Sequence, residues 1–372
     1  MTRSIVPILV LVCGVLTACS TVTDSLVRRA VPPFPDFPSP VTDLSSGQSG
    51  EIYYATSTPF DLDVLLADHE RTPTTGFGTL FLPDAADASD AAPVPAMVVL
   101  HGSGGISKGR EMEYGELLAS NGIAAFVVNY YTPRGVTEET NYMIRVLSVT
   151  EFDAITDAYA ALQLLGTHPR IDAQRIGVVG YSYGGMAARF AMDERIRRRL
   201  APERPGFAAF VDFYGPCFQN LGTSETNGSP LLTLRGTEDA SNDLAACKQR
   251  EDELRALGNS VEAHVYQGAG HAWEVEVPRQ LFPDSPYVAG CEMKYDDTGH
   301  NFVNGKPVID TPLETSRMDR ILLRVSSGDA MQECVKEGYV IGSDPETKVR
   351  SDAALLSFLR RTFDIEAAPA RE

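Results

Sequence analysis

Arg175-Ile-Gly-Val-Val-Gly-Tyr-Ser-Tyr-Gly-Gly185 is the stretch from which the fold can be read. A short run, apolar on both faces, leads into Gly180-Tyr181-Ser182-Tyr183-Gly184. Such a run predicts a strand buried in a parallel sheet. The residues after it, 184–192, predict a helix. A Gly-x-Ser-x-Gly segment between a strand and a helix is a strained turn that projects the serine hydroxyl from the sheet edge. Residues two before and two after the serine must be small for the backbone to turn so tightly, and Gly180 and Gly184 meet that demand. Gly185 adds room for the helix to approach the strand. The helix N-terminus favours negative charge developing at the serine. Ser182 is therefore the candidate nucleophile.

Working outward, strands are predicted at 51–55, 76–82, 96–101, 123–129, 175–180, 208–213, 230–235 and 261–266. Helices are predicted at 110–121, 150–166, 184–192, 242–257 and 351–363. This alternation implies an α/β layered fold, with a mostly parallel central sheet, flanking helices and right-handed crossovers. Residues 274–350 break the rhythm with many Pro, Gly and Asp and little periodicity. They read as an inserted, disulfide-pinned segment before the last helix.

A serine hydroxyl needs a positioned base. The chain order for this kind of turn is nucleophile, acid, histidine. Pro230-Leu-Leu-Thr-Leu-Arg-Gly-Thr-Glu-Asp239 is a strand ending in acids, and the strand 261–266 ends in Gln267-Gly-Ala-Gly-His271. Both acid and base leave the carboxyl ends of strands, where open α/β sheets place their sites. Asp239 is the favoured acid, with Glu238 and Asp243 as rivals, and His271 is the base. His264 lies within a strand and reads as structural. His300 falls in the insertion, and His69 and His168 in surface-like contexts. His101 precedes the serine, the wrong order for the base. Tyr181, Tyr183 and Trp273 either line a substrate pocket or pack in the core.

The chain has 372 residues, 43% of them apolar, enough for a packed core. Its formal charge of −18 leaves no footprint for nucleic acid. Arg3, an apolar run to Leu16 and then Leu16-Thr17-Ala18-Cys19 have the layout of a secretory signal, 1–18, ending in a lipobox that would lipidate Cys19. The Pro-rich and then Ser/Gly-rich residues up to 48 read as a lipidated tether, 19–48, ahead of a domain at 49–365. The expected location is a bacterial cell envelope, lipid-anchored on the periplasmic side. Ser20 in place of Asp resembles outer-membrane sorting. Of the other cysteines, Cys217, Cys247, Cys291 and Cys334 suit two disulfides in an oxidising compartment. The favoured pairs are Cys217–Cys247 and Cys291–Cys334, each within one region of the chain. No CxxC pair suggests zinc, and no Lys follows the Gly-rich loop at 102–105 in the spacing of a phosphate cradle.

With these motifs together, the chain resembles the dienelactone hydrolase family of α/β-hydrolases. The resemblance covers about 75–272 and the last helix. It is carried by the His101-Gly102 loop, the Gly180–Gly184 turn, Gly236-Thr-Glu-Asp239 and Gly270-His271. It implies an oxyanion hole formed by the amide of Tyr183 with that of Ser103, or alternatively Gly104. It implies cleavage of a small-molecule carboxylic ester or lactone by a Ser-His-Asp acyl-enzyme route, without a cofactor. The namesake enzymes use a cysteine nucleophile where this chain has Ser182. The turn is also similar to that of prolyl oligopeptidase-type peptidases, although too few residues precede the domain for a propeller. A catalytically silent envelope binding module is the remaining alternative.

Overall fold

The computed structural model describes residues 17–67, 72–84, 92–309, 311–326 and 331–365. Its centre is an eight-stranded sheet. In chain order the strands are β1 (Gly50–Ser57), β2 (Pro73–Phe81), β3 (Val94–Leu100), β4 (Ala124–Val128), β5 (Ile171–Tyr181), β6 (Phe210–Phe213), β8 (Leu231–Gly236) and β9 (Val261–Tyr266), with the short β7 (Gln219–Asn220) outside this sheet. Their spatial order is β1-β2-β4-β3-β5-β6-β8-β9. β2 runs antiparallel to β1 and β4, and every pair from β4 to β9 is parallel.

The sheet is buried on both faces because its central strands carry apolar residues on both sides, with the few polar ones, such as Asp212 and Arg235, paired to one another. In β3, Ala96, Val98 and Leu100 enter one core, while Met97 and Val99 enter the other. That split follows from side chains alternating across a strand. On the first face lies α5 (Glu151–Leu165), opened by a capping box between Thr150 and Asp153. On the second lie α3 (Glu111–Ser120) and the last helix, α10 (Pro345–Phe363), which starts with Asp344 as its cap and Pro345 at the first turn. The helix α6 (Tyr183–Phe190) follows β5 directly. This is the α/β-hydrolase arrangement expected from the sequence.

The segment before α10 is more ordered than its composition suggests. β10 (Gln280–Val288) pairs antiparallel with β14 (Val335–Ile341). β11 (Met293–Tyr295), β12 (Asn301–Val303) and β13 (Lys306–Ile309) form a meander that adds to β7. A helix, α9 (Arg317–Ser326), follows the meander. The Cys291–Cys334 disulfide closes this segment, and Cys217–Cys247 ties the loop after β6 to α8 (Leu244–Ala256). Both bonds are the favoured pairs.

The tether expected at 19–48 takes another form. The signal at 1–18 lies almost wholly outside the described residues, as does the side chain of Cys19. Thr17–Ala30 is a helix, α1, whose Val27 packs near Val31, Phe60 and Ile321. The Pro-rich stretch then runs along the domain: Phe37 meets Tyr53, Arg317 lies over Phe34, and Leu44 is fully buried. Dense proline keeps this stretch extended, and its aromatic side chains have a surface to cover. Among the described residues, no helix is long and apolar enough to cross a membrane.

Candidate active site

Ser182 sits at the junction of β5 and α6 with φ 54° and ψ −117°. A non-glycine residue there is strained, and such strain persists only where the surroundings enforce it. Two other residues at the site, Tyr214 and Ala272, also have positive φ, 40° and 53°. The glycines explain how the turn fits. A methyl on Gly180 would overlap the Gly184 carbonyl, and one on Gly184 would lie 2.5 Å from the carbonyl oxygens of Leu100 and His101. Beneath the turn, buried Asp212 accepts from Arg189, from Arg235 at 2.9 Å and from the amide of Gly215 at 2.7 Å.

The loops after β8 and β9 converge on this serine. His271 Nε2 is 2.8 Å from Ser182 Oγ, and its Nδ1 is 2.6 Å from Asp239 Oδ2. With a carboxylate at Nδ1, that nitrogen carries the proton and donates it, leaving Nε2 to accept from the serine hydroxyl. Asp239 is held by further donors. Its Oδ1 accepts from the amide of Ser241 at 3.0 Å and from the Ser241 hydroxyl at 2.5 Å, and its Oδ2 accepts from Asn242 Nδ2 at 2.7 Å. The rival acids stand elsewhere. Glu238 is exposed and paired with Arg279, and Asp243 caps α8.

The loop after β3 closes the other side. Gly102 lies against the turn, where a methyl would come within 3.2 Å of Ser182 Cβ. Tyr130 donates to the His101 carbonyl at 2.6 Å, and Tyr131 to that of Ser103 at 2.9 Å. His101 is buried and stacked on Tyr130 at 3.6 Å. Burial pushes its imidazole down to about 3, so the neutral ring donates from Nδ1 to the Gly102 carbonyl at 2.7 Å. As the first residue of α6, Tyr183 has an amide with no acceptor inside the helix. Ser103, Ser182, Tyr183 and Ser241 all line one cavity of about 350 Å³.

Of Tyr181, Tyr183 and Trp273, only Tyr183 reaches this cavity. Its hydroxyl bonds Glu151, both as donor to the carboxylate and as acceptor from the main-chain N–H at 2.9 Å. Tyr181 and Trp273 are fully buried in the core. His168 is buried rather than superficial, His264 pairs with Glu262, His300 lines the cavity's edge, and His69 lies outside the described residues. Sequence reasoning missed Ser241 and Asn242, although an Asp-x-Ser-Asn run is a recognisable side-chain-to-backbone turn. It also missed Glu274, which accepts from Tyr214 Oη at 2.6 Å behind the His271 ring. Burial pushes the Glu274 carboxyl up to about 7 against the pull of Tyr214 and Arg110.

The family model described as "Dienelactone hydrolase family" matches residues 83–306. A Bradyrhizobium protein named "Probable 2-oxo-3-(5-oxofuran-2-ylidene)propanoate lactonase" is 25% identical over 169 residues, 42% of this chain and 64% of that protein's length. The chain thus spans less than two thirds of the curated relative it matches. A dienelactone hydrolase-like promiscuous phosphotriesterase from metagenomic libraries has 17% identity and a TM-score of 0.49, over 84% of this chain and 99% of the other. A putative dienelactone hydrolase from Klebsiella pneumoniae has 22% identity and a TM-score of 0.39, over 60% and 88%. Because the family match spans well over half its length and takes in Ser182, Asp239 and His271, the chain belongs to the dienelactone hydrolase family.

Proposed function

We propose that the protein hydrolyses carboxylic esters or lactones through an acyl-enzyme on Ser182, with His271 as base and Asp239 as its orienting acid. The observation that carries this reading is the line from Ser182 Oγ to His271 Nε2 (2.8 Å) and from Nδ1 to Asp239 (2.6 Å) beside an apolar cavity. In the first half, Ser182 Oγ bonds to the substrate carbonyl carbon and its proton passes to Nε2. The oxyanion is stabilised by the amides of Tyr183 and Ser103. Collapse expels the alcohol, which takes the proton from Nε2. In the second half water repeats the sequence, releasing the acid and restoring Ser182. Amide donors at such an oxyanion are worth about 3 kcal/mol each.

The test is turnover of p-nitrophenyl acetate and labelling by a fluorophosphonate, each beside Ser182→Ala. Loss of both in the variant supports the reading. A folded wild-type protein that neither labels nor turns over ester sinks it and leaves a binding module.

The same reading has the domain working in an oxidising envelope compartment, lipid-anchored through Cys19. The two disulfides support an oxidising location. Fractionation of cells expressing the full chain tests the anchor: Cys19→Ala should move the protein from membrane to soluble fractions.

A further inference from the structure

We infer that the substrate is an uncharged ester bearing an apolar chain of several carbons, and that the inserted segment between β9 and α10 forms the wall that receives the chain. This rests on the Ser182 reading above and extends it to substrate class.

The cavity beside Ser182 has two walls of separate origin. One is α4 (Tyr142–Ser148), which contributes Met143, Val146 and Leu147. The facing wall comes from the insertion, with Val288 at the end of β10, Met293 of β11 and Val335 of β14. At the rim Met143 and Val335 are 48% and 42% exposed, an apolar surface presented to solvent at the mouth of a site. At about 350 Å³ the space falls within the range of about 300–1,000 Å³ that encloses a small organic ligand. An acetyl group alone would leave most of it unfilled.

The charged groups on the lining argue against an anionic chain. Asp61, Asp63 and Arg324 line it, with Glu151 directly behind Tyr183. Arg324 lies 4.0 Å from Glu151. Arg320 lies 2.9 Å from Asp61 and 3.2 Å from Asp63. Three carboxylates thus face two guanidiniums, and a fourth carboxylate brought in by a substrate would be buried against an existing excess of negative charge. His300, at the edge, is engaged by Thr298 at 2.6 Å.

The experiment compares kcat/KM for p-nitrophenyl acetate, butyrate and hexanoate, for the matching alkyl acetates, and for mono-p-nitrophenyl adipate, whose chain ends in a carboxylate. Each methylene buried should raise kcat/KM about four-fold. We expect about ten-fold or more between acetate and hexanoate, or along the alkyl acetates, and adipate at least about ten-fold below hexanoate. Both uncharged series flat, or adipate at or above hexanoate, overturns the inference even while Ser182-dependent acetate turnover upholds the reading beneath it. Absence of any Ser182-dependent turnover removes both. Val288→Trp, which fills the wall, and Val335→Glu, which charges the exposed rim, should each lower the hexanoate-to-acetate ratio about five-fold or more. Val335→Glu sits on the surface and keeps the test sound if the tryptophan variant does not fold. Unchanged ratios in folded variants assign the chain to another surface.

Discussion

The main-chain N–H of His271 donates to the carbonyl of Val340 at 2.7 Å, and the His271 carbonyl accepts from Gly342 at 3.0 Å. The residue facing Ser182 is therefore held from both sides by the end of β14, a strand of the inserted segment. The insertion both walls the cavity and fixes the backbone from which the imidazole extends.

Loosening the insertion should then cost turnover as well as stability. Replacing Cys291 and Cys334 by serine frees a loop whose closure contributes about 2–4 kcal/mol. The expected outcome is a lower melting temperature together with kcat on a short ester reduced about ten-fold or more. A lower melting temperature with unchanged kcat would show that β14 stabilises the fold without positioning His271.

The donors around Asp239 predict a graded series. Asp239→Asn removes the charge that stabilises the imidazolium and favours the wrong tautomer, for about a 10⁴-fold loss in kcat. Ser241 touches both Asp239 Oδ1 (2.5 Å) and His271 Nδ1 (3.3 Å). A hydrogen bond to a charged group contributes about 1.5–3 kcal/mol, so Ser241→Ala should lower kcat about 10- to 100-fold with little change in KM. By contrast Ser103→Ala should stay within a few-fold of wild type, because its proposed role belongs to the amide while its hydroxyl meets Tyr142 at 3.1 Å. Steady-state kinetics on one short ester separates the three.

Glu274 gives a pH signature in stability. Its carboxyl ionises near 4.5 in the unfolded chain and near 7 in the fold, where Tyr214, Arg110 and His271 act on it and burial dominates. Between those values the folded state binds the extra proton, so raising the pH favours unfolding. The interval corresponds to on the order of 3 kcal/mol lost between pH 4.5 and 7, with no further loss above. Glu274→Gln should flatten this part of the curve in denaturant titrations at pH 5, 6, 7 and 8. An unchanged wild-type slope in the variant would assign the dependence to another group.

The sheet, the turn at Ser182 and the positions of Asp239 and His271 were legible because each depends on local signals: β-branched runs, paired glycines, and acids and a histidine just past strand ends. The two disulfides followed from proximity in the chain. The insertion and its disulfide were legible, but the strands within it were not. β10 reads Gln-Leu-Phe-Pro-Asp-Ser-Pro-Tyr-Val, with two prolines and a register shift between Phe282 and Pro286, and β14 carries Gly338 at its centre. Proline and glycine at such positions mark bulged edge strands, which look like loops in sequence. Residues 31–48 misled for a related reason. Proline dictates extended backbone whether or not that backbone is packed, and the packing of Phe34 and Phe37 depends on Arg317 and Tyr53, far away in the chain.

Trp273, the single tryptophan, lies two residues after His271, and proximity alone suggests that its fluorescence reports ligand entry. Its place in the core predicts otherwise. The ring is fully buried, packed against Tyr214 at 4.8 Å and Tyr266 at 5.6 Å, and its Nε1 donates to Ser351 Oγ at 3.0 Å, which ties it to α10. It does not line the cavity beside Ser182. Emission should be blue-shifted in the native protein and move to the red in one step on unfolding, as the α10 contact is lost. Saturating phosphonylation of Ser182 should change the intensity by less than about a tenth of the unfolding change. A large response to phosphonylation, with the fold intact by circular dichroism, would mean that occupancy of the site is transmitted through Tyr214 to the face of the sheet that α10 covers.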